Sequence, residues 1–255
     1  MLLFSATLVV AQPRDVSRLS WSHVAMRMPA EWYGSEEARA IAEIVLDAQL
    51  PCGGWSKNIP WHRMEEKHHK SLEWERTIGS AIFDNNATTT EMAFLTKVYA
   101  AKPDKRYKEA FQRAFELIVE AQYATGGWPM FYPLSEKCLD AHGVKDPVMG
   151  VNYIENINFN DNAHANLLRV MKMIYQGDEL YAPLVTRKMQ RTAKEVYFKG
   201  IQCILDCQID GEYEQYVADT VASLDSKIEA GTIDATDTAQ EKVAKALFTK
   251  IVIKD

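Results

Sequence analysis

The sequence predicts an all-α protein built from helical hairpins that stack side by side. Between about residues 35 and 209, apolar side chains recur every three or four positions, which is typical of helices with one buried face. The sequence Gly-Gly-Trp follows two of these helices, at residues 53–55 and 126–128. Because the two copies lie about one helix pair apart, they predict a repeated hairpin unit.

The composition is that of a globular protein with a sizeable core. The chain has 255 residues, of which 47% are hydrophobic and 25% are charged. Its formal net charge is −6, so we expect no nucleic-acid partner. No apolar run is long enough to span a bilayer, so we expect no membrane partner. An anionic polymer would need local basic groups or a bridging metal ion. The sequence leaves the oligomeric state open.

The N-terminal segment, residues 1–11, resembles a signal peptide. It is mostly apolar, and its last three residues, 9–11, are typical of a signal-peptidase site. It lacks a basic start, so a frayed apolar terminus is the alternative. We therefore expect a secreted or periplasmic protein. The sequence does not fix a disulfide pairing among its cysteines, which are Cys52, Cys138, Cys203 and Cys207.

The helices are predicted in order from their apolar spacing and from residues that can cap them. Residues 12–34 are expected to be irregular, and residues 56–83 to form a long loop with a short polar helix. Ser35 can cap the first clear helix, whose first turn holds two glutamates. The other predicted helices cover about residues 64–75, 88–101, 104–120, a segment after 162, and 187–207.

The Gly-Gly-Trp motif belongs to a longer repeated helix ending. Residues 48–55 and 121–128 both read Ala-Gln, an apolar or aromatic residue, two spacers and Gly-Gly-Trp. A third, partial copy ends the last helix at residues 205–209. The paired glycines allow backbone conformations forbidden to other residues. We expect them to let each indole lie along the top of the helices.

Two acidic turns stand at helix entrances. Asp84-Asn85-Asn86 comes just before a helix that Thr88 and Glu91 are predicted to begin with a capping box. Asp161, with asparagine on both sides, stands at a later entrance. Turn formation alone explains these residue types. However, equivalent entrances would face each other across a ring of hairpins, and oxygen ligands of this kind suit Ca²⁺.

The ordered motifs resemble polysaccharide lyase family 10 pectate lyases over about residues 36–209. They are Gly53-Gly54-Trp55-Ser56-Lys57-Asn58, Asp84-Asn85-Asn86-Ala87-Thr88-Thr89-Thr90-Glu91-Met92, Ala121-Gln122-Tyr123, Gly126-Gly127-Trp128-Pro129, Phe131-Tyr132-Pro133 and Phe159-Asn160-Asp161. The resemblance implies an incomplete α/α toroid with long functional loops and a cleft at one end. It also implies calcium-dependent cleavage of polygalacturonate by β-elimination, as in pectin degradation.

The resemblance also implies roles for individual residues. Asp84 and Asp161 become the carboxylates of a Ca²⁺ site, with Asn85 beside them. A Ca²⁺ bound to a uronate carboxylate stabilises the charge that develops when the neighbouring carbon loses its proton. Lys57 becomes a partner for a uronate carboxylate, although a plain surface charge is the alternative. The remaining expected substrate-binding residues are Trp55, Thr88, Trp128 and Tyr132, and core packing is the alternative for the aromatic ones.

The resemblance fails at the C-terminus. The family's Trp-Cys-Ala-Gln-His segment and the arginine that serves as catalytic base are not recognisable after Ile209, and residues 210–255 contain no arginine. The catalytic residue is therefore unassigned. We expect a signal-like segment at 1–11, a toroid at 12–209 and a divergent helical segment at 210–255. Residues 134–157 are longer than the usual connection and could alter the groove.

Three functions remain open at this point. The first is a pectate lyase, with activity impaired by the missing arginine segment. The second is a non-catalytic remnant that binds polygalacturonate. The third is a glycoside hydrolase on a helical toroid, in which Asp84 and Asp161 would be the two carboxylic side chains.

Overall fold

The computed structural model describes residues 15–143 and 152–207. These residues form eight α-helices, and the predicted all-α class is confirmed. The helices are α1 Trp21–Arg27, α2 Glu36–Ala48, α3 Glu66–Ile78, α4 Thr89–Ala101, α5 Lys105–Glu120, α6 Glu136–His142, α7 Ala163–Gln176 and α8 Arg187–Asp206. The predicted segments 1–11 and 210–255 lie outside the described residues. No helix in the described ranges is long and apolar enough to cross a membrane.

Short elements connect these helices. The 3-10 helices are Val16–Arg18, Ala30–Gly34, Trp61–Arg63, Asp84–Asn86, Tyr153–Glu155 and Asn160–Asn162. Strands β1 (Ala81–Ile82) and β2 (Phe131–Tyr132) form an antiparallel ribbon, in which Ala81 pairs with Tyr132 and Ile82 with Phe131. The prediction that residues 12–34 are irregular was wrong, because α1 and two 3-10 helices lie there. These segments pack on the core through Val24, Ala25 and Tyr33, which are buried.

Helix α4 lies at the centre of the described fold. It contacts α1, α2, α5 and α7, and α7 in turn packs along α8. Its buried residues lie on every side of the helix, including Met92, Phe94, Leu95 and Val98. A helix that is apolar all round must be covered on all sides. By contrast, α5 and α8 each bury one face, so they lie further out.

The repeated helix ending acts as a latch between helices that are not neighbours in sequence. The Gln49 side-chain amide donates to the carbonyl of Gly53 at 2.7 Å and to that of Ala110 in α5 at 2.8 Å. Gln122 repeats this with Gly126 and with Val196 in α8, both at 2.9 Å. The end of α2 is thereby fixed to α5, and the end of α5 to α8. The repeat predicted from sequence is therefore also a repeat of contacts.

Glycine is required where each repeated helix ending packs against a distant helix, α5 in the first copy and α8 in the second. Gly53 and Gly126 have φ angles of +105° and +96°. A Cβ atom at Gly53 would lie 2.6 Å from the Arg113 carbonyl oxygen, and one at Gly126 would lie even closer to the Lys199 carbonyl oxygen. Both positions therefore need a residue that adopts a positive φ and has no side chain, and glycine meets both conditions.

We predict that Gly126→Ala lowers the free energy of unfolding by about 3 kcal/mol or more, because the new methyl group clashes with α8 backbone. Gly79→Ala is the matched control, since Gly79 has φ +79° but no atom lies within 4 Å of the place a Cβ would occupy. It should cost only about 1 kcal/mol of backbone strain. If urea denaturation showed that both variants lose the same free energy of unfolding, the close approach of Gly126 to α8 would be contradicted.

The prediction that Thr88 caps α4 as the first residue of a capping box was wrong. The Thr88 side chain makes no capping hydrogen bond. Glu91 is buried, and its Oε1 accepts from the indoles of Trp21 at 2.7 Å and Trp61 at 2.8 Å. Glu91 therefore fixes α1 and the loop after α2 against α4. Burial raises the pKa of Glu91, and the two indole donors only partly oppose this.

We predict that buried Glu91 makes stability fall as pH rises. Its folded pKa is raised above the unfolded value of about 4.3, so the folded state retains the proton longer. Its stabilising contribution is complete below the unfolded pKa and is lost as pH rises through the folded pKa. Thermal unfolding of the wild type and Glu91→Gln between about pH 4 and pH 7 tests this. As pH rises, the melting temperature of the wild type should fall relative to that of Glu91→Gln. Parallel plots of melting temperature against pH for the two proteins would refute the prediction.

Candidate functional site

The two acidic turns have the same backbone conformation. Phe83 and Phe159, which precede them, have φ/ψ of −104°/−4° and −98°/−4°. Two residues later, Asn85 and Asp161 have φ/ψ of 52°/32° and 48°/30°. Asparagine and aspartate tolerate this left-handed region better than other side-chain-bearing residues. The turn is therefore an internal repeat, with its aspartate one position later in the second copy.

Each Gly-Gly-Trp segment supports one of these turns. The backbone carbonyl of Trp55 accepts from the N–H of Ile82 at 3.4 Å, and that of Trp128 accepts from Asn158 at 2.8 Å. Both donors lie immediately before the phenylalanine that opens the turn. The N–H of Phe83 also donates to the carbonyl of Met130 at 3.0 Å. The latches that join the helices therefore also set the positions of the two turns.

The structure brings Asp84 and Asp161 together. The two 3-10 turns contact each other, and their carboxyl groups lie close enough to interact. The hydrogen bond and negative charge of Asp84 raise the pKa of Asp161, whereas the charge of Lys57 lowers it. Asp84 is buried and Asp161 is exposed. The pair thus presents a concentrated negative charge at the protein surface.

Lys57 and the backbone stabilise the buried member of the pair. Lys57 Nζ donates to Asp84 Oδ2, and the N–H of Asn85 donates to Asp84 Oδ1 at 2.8 Å. The Asp84 side chain is 3% exposed, whereas that of Lys57 is 37% exposed. Lys57 therefore neutralises a buried carboxylate and still reaches solvent.

Amide side chains complete the oxygen-rich site. Asn85 Nδ2 donates to Asn58 Oδ1 at 3.2 Å, and Asn160 Nδ2 donates to Asp161 Oδ2 at 3.3 Å. No group of three or more His, Cys, Asp or Glu side chains gathers as a metal site within residues 15–143 and 152–207. Two carboxylates with neighbouring amides instead match the oxygen ligands of a hard cation, with water filling the remaining positions. The donor set therefore fits Ca²⁺.

The structure places two predicted sugar-binding residues in the core. Trp55 and Trp128 are buried, and their indoles donate to the carbonyls of Val45 at 2.7 Å and Ile118 at 2.8 Å. Because both rings are covered here, the structure favours the core-packing alternative for both. Burial of an indole is favourable when its N–H has a partner, as here.

Thr88 is likewise buried, whereas Tyr132 is only partly covered. Thr88 Oγ1 accepts from the N–H of Trp55 at 3.1 Å and lies 3.4 Å from the carbonyl of Ile82, to which it donates. It therefore positions the acidic turn from within, and its φ of 69° is unusual for a β-branched residue. Tyr132 lies at the end of β2, where it can still contact a ligand.

Sequence reasoning noted Asn160 beside Asp161, but it missed Asn58 as a neighbour of the acidic turn. Asn58 ends the quoted Gly-Gly-Trp-Ser-Lys-Asn motif, and Asn160 adjoins Asp161, so both stood beside assigned residues. The left-handed conformation of Asn58, with φ 62°, was the missing information. It turns the amide back towards Asn85.

A family model described as pectic acid lyase matches residues 49–223, which is more than half of the chain. This chain belongs to the pectic acid lyase family. The search of curated proteins found no match. The matched residues include the latches, both acidic turns and Lys57, so the site is built from parts of the chain that the family model covers.

Two solved structures show the same helical toroid fold. One is a family 10 polysaccharide lyase from Cellvibrio cellulosa, with 26% identity and a TM-score of 0.54. The other is a mutant of a family 10 lyase from that organism in complex with trigalacturonic acid, with 25% identity and a TM-score of 0.54. Each match covers 74% of this chain and 49% of the other. This pectic acid lyase family member therefore spans about half the length of those lyases.

Proposed function

We propose that this chain carries the calcium-binding and galacturonate-binding part of a pectate lyase. The reaction class would be β-elimination in polygalacturonate. The observation that supports this most directly is the close approach of Asp84 and Asp161 beside Lys57. Family membership and a solved family 10 relative in complex with trigalacturonic acid favour the same substrate class.

The residues of this site have distinct proposed roles. Asp84 and Asp161 would hold the ion, with Asn85 as a neighbouring amide. A bound Ca²⁺ would stabilise the negative charge that develops beside the substrate carboxylate during proton loss. Lys57 would bind a uronate carboxylate, because its ammonium group is partly exposed next to the acidic pair. Tyr132 stays a proposed sugar contact at the end of β2.

The geometry does not favour the glycoside hydrolase alternative. A pair of carboxyl groups that flank a glycosidic bond lies about 5 Å or more apart, to leave room for the sugar. Asp84 and Asp161 instead lie in turns that contact each other, with their carboxyl groups close enough to interact. A direct carboxyl pair is better suited to sharing one cation.

Binding and cleavage are separable parts of this proposal. No arginine follows Arg191 in the sequence, so the family's arginine base has no counterpart in residues 210–255. If another group of the chain does not remove the proton, the chain binds galacturonate without cleaving it. Because its substrate is a polymer, we also propose that the protein acts outside the cytoplasm, as the apolar residues 1–11 suggest.

We predict that Asp161→Ala abolishes calcium-dependent binding of polygalacturonate, because one of the two proposed carboxylate ligands is lost. Binding is measured by calorimetry with CaCl₂ and oligogalacturonate, and cleavage by ultraviolet absorbance of the unsaturated product. Glu120→Ala removes an exposed carboxylate at the end of α5 and should behave as wild type. Unchanged calcium binding in Asp161→Ala would remove Asp161 from the site.

We predict opposite effects of Lys57→Met on the two ligands. Calcium affinity should increase, since a positive charge next to Asp84 is lost. Affinity for oligogalacturonate at saturating CaCl₂ should fall about tenfold, since a charge-assisted hydrogen bond is lost. Calorimetric titration with each ligand in turn measures both. A decrease in both affinities would instead show that Lys57 acts by keeping the acidic turn folded.

A further inference from the structure

Trp74 is a half-exposed aromatic residue on an otherwise polar helix. Helix α3 buries only Leu72 and Ile78, and most of its other residues are charged or polar. Trp74 nevertheless leaves 47% of its surface accessible to solvent. Single exposed hydrophobic residues are common, but tryptophan is enriched where proteins bind other molecules, because its ring is apolar at one end and polar at the other.

A ladder of rings connects Trp74 to the acidic turn. The His142 ring meets Trp74 edge-on, with centroids 5.1 Å apart and an interplanar angle of 80°. His142 also stacks on Phe131, at 4.2 Å and 14°. Phe131 pairs with Ile82 in the ribbon, two residues before Asp84. The Trp74 indole is therefore connected through two packed rings to the strand that leads into the acidic turn, and it keeps 47% of its surface accessible to solvent.

The charges around this ladder place it on the same side of the molecule as Lys57. Glu75, next to Trp74, lies 3.6 Å from His142 Nε2. Burial raises the pKa of Glu75 and lowers that of His142, and the ammonium group of Lys57 lowers both. Lys57 is therefore within electrostatic reach of both groups, and Trp74 contacts the His142 ring.

We propose that Trp74 is a stacking platform for a galacturonate residue next to the one bound at Lys57. This inference rests on the proposed function. A pyranose ring has an apolar C–H face and a polar rim, so it can cover the indole while its carboxylate and hydroxyl groups stay in water. A chain of linked uronates would then lie along Lys57 and Trp74, with the carboxylates directed towards the cationic side.

Packing alone does not require a half-exposed tryptophan at position 74, and a sugar contact would explain it. The ladder of Phe131 and His142 already packs behind the indole, so a smaller residue at position 74 would not open the core. A tryptophan here leaves about half of its indole exposed to solvent. Polysaccharide ligands gain from such a rigid surface, because an indole loses little conformational freedom on binding.

The test compares binding of short and long substrates by Trp74→Ala, Trp74→Tyr and the wild type. Calorimetry with digalacturonate and hexagalacturonate at saturating CaCl₂ measures each affinity. We expect Trp74→Ala to weaken hexagalacturonate binding about tenfold and digalacturonate binding much less, and Trp74→Tyr to retain most of the affinity. Phe198→Ala is the control, because Phe198 is 51% exposed and lies on α8 among Tyr175 and Tyr197. It should bind both ligands as wild type does.

The outcomes separate this inference from the proposed function. If the wild type binds hexagalacturonate and Trp74→Ala binds it equally well, the platform is refuted and the calcium site stands. If Trp74→Ala weakens both ligands equally, Trp74 acts on the site as a whole and the platform is again refuted. If the wild type binds neither ligand with CaCl₂, both proposals fail.

Discussion

The candidate site depends on the enforced proximity of two like charges. Asp84 and Asp161 come from turns 77 positions apart, and the proximity of Asp84 raises the pKa of Asp161. Two carboxyl groups approach each other closely when they share a proton or when a positive charge compensates them. Lys57 provides this charge, and the Asn85 N–H adds a hydrogen bond. A divalent cation would neutralise the same repulsion more fully, which explains why this arrangement suits calcium.

The helical frame supplies the force that holds these charges together. Gln49 and Gln122 join α2 to α5 and α5 to α8. The same segments end in Trp55 and Trp128, whose backbone carbonyls accept from the residues just before the acidic turns. Burial of the two indoles anchors the latches in the core. A single repeated sequence thereby performs two tasks: it stacks the hairpins, and it fixes the distance between the turns.

Sequence reasoning predicted the positions of the helices better than it predicted which side chains contact each other. The stripes of apolar residues placed α2, α4, α5, α7 and α8 close to their observed bounds, because helix periodicity depends only on local spacing. The same reasoning assigned Thr88 and Glu91 to a capping box. In the structure, the Thr88 side chain makes no cap, and Glu91 also accepts from Trp21 and Trp61, which are distant in sequence. For Trp55 and Trp128 the sequence allows both a sugar contact and core packing, since an indole suits both environments.

The sequence by itself determined the helix pattern, the repeated latch, the acidic turns and the resemblance to a lyase family. Each of these is encoded within short stretches of residue types. Only the tertiary structure decided which side chains meet: that Asp161 reaches Asp84, that Thr88 is a buried support, and that Trp74 is exposed beside His142. The physical reason is that burial and charge pairing depend on which helices pack together, and that is settled by the whole core rather than by any one segment.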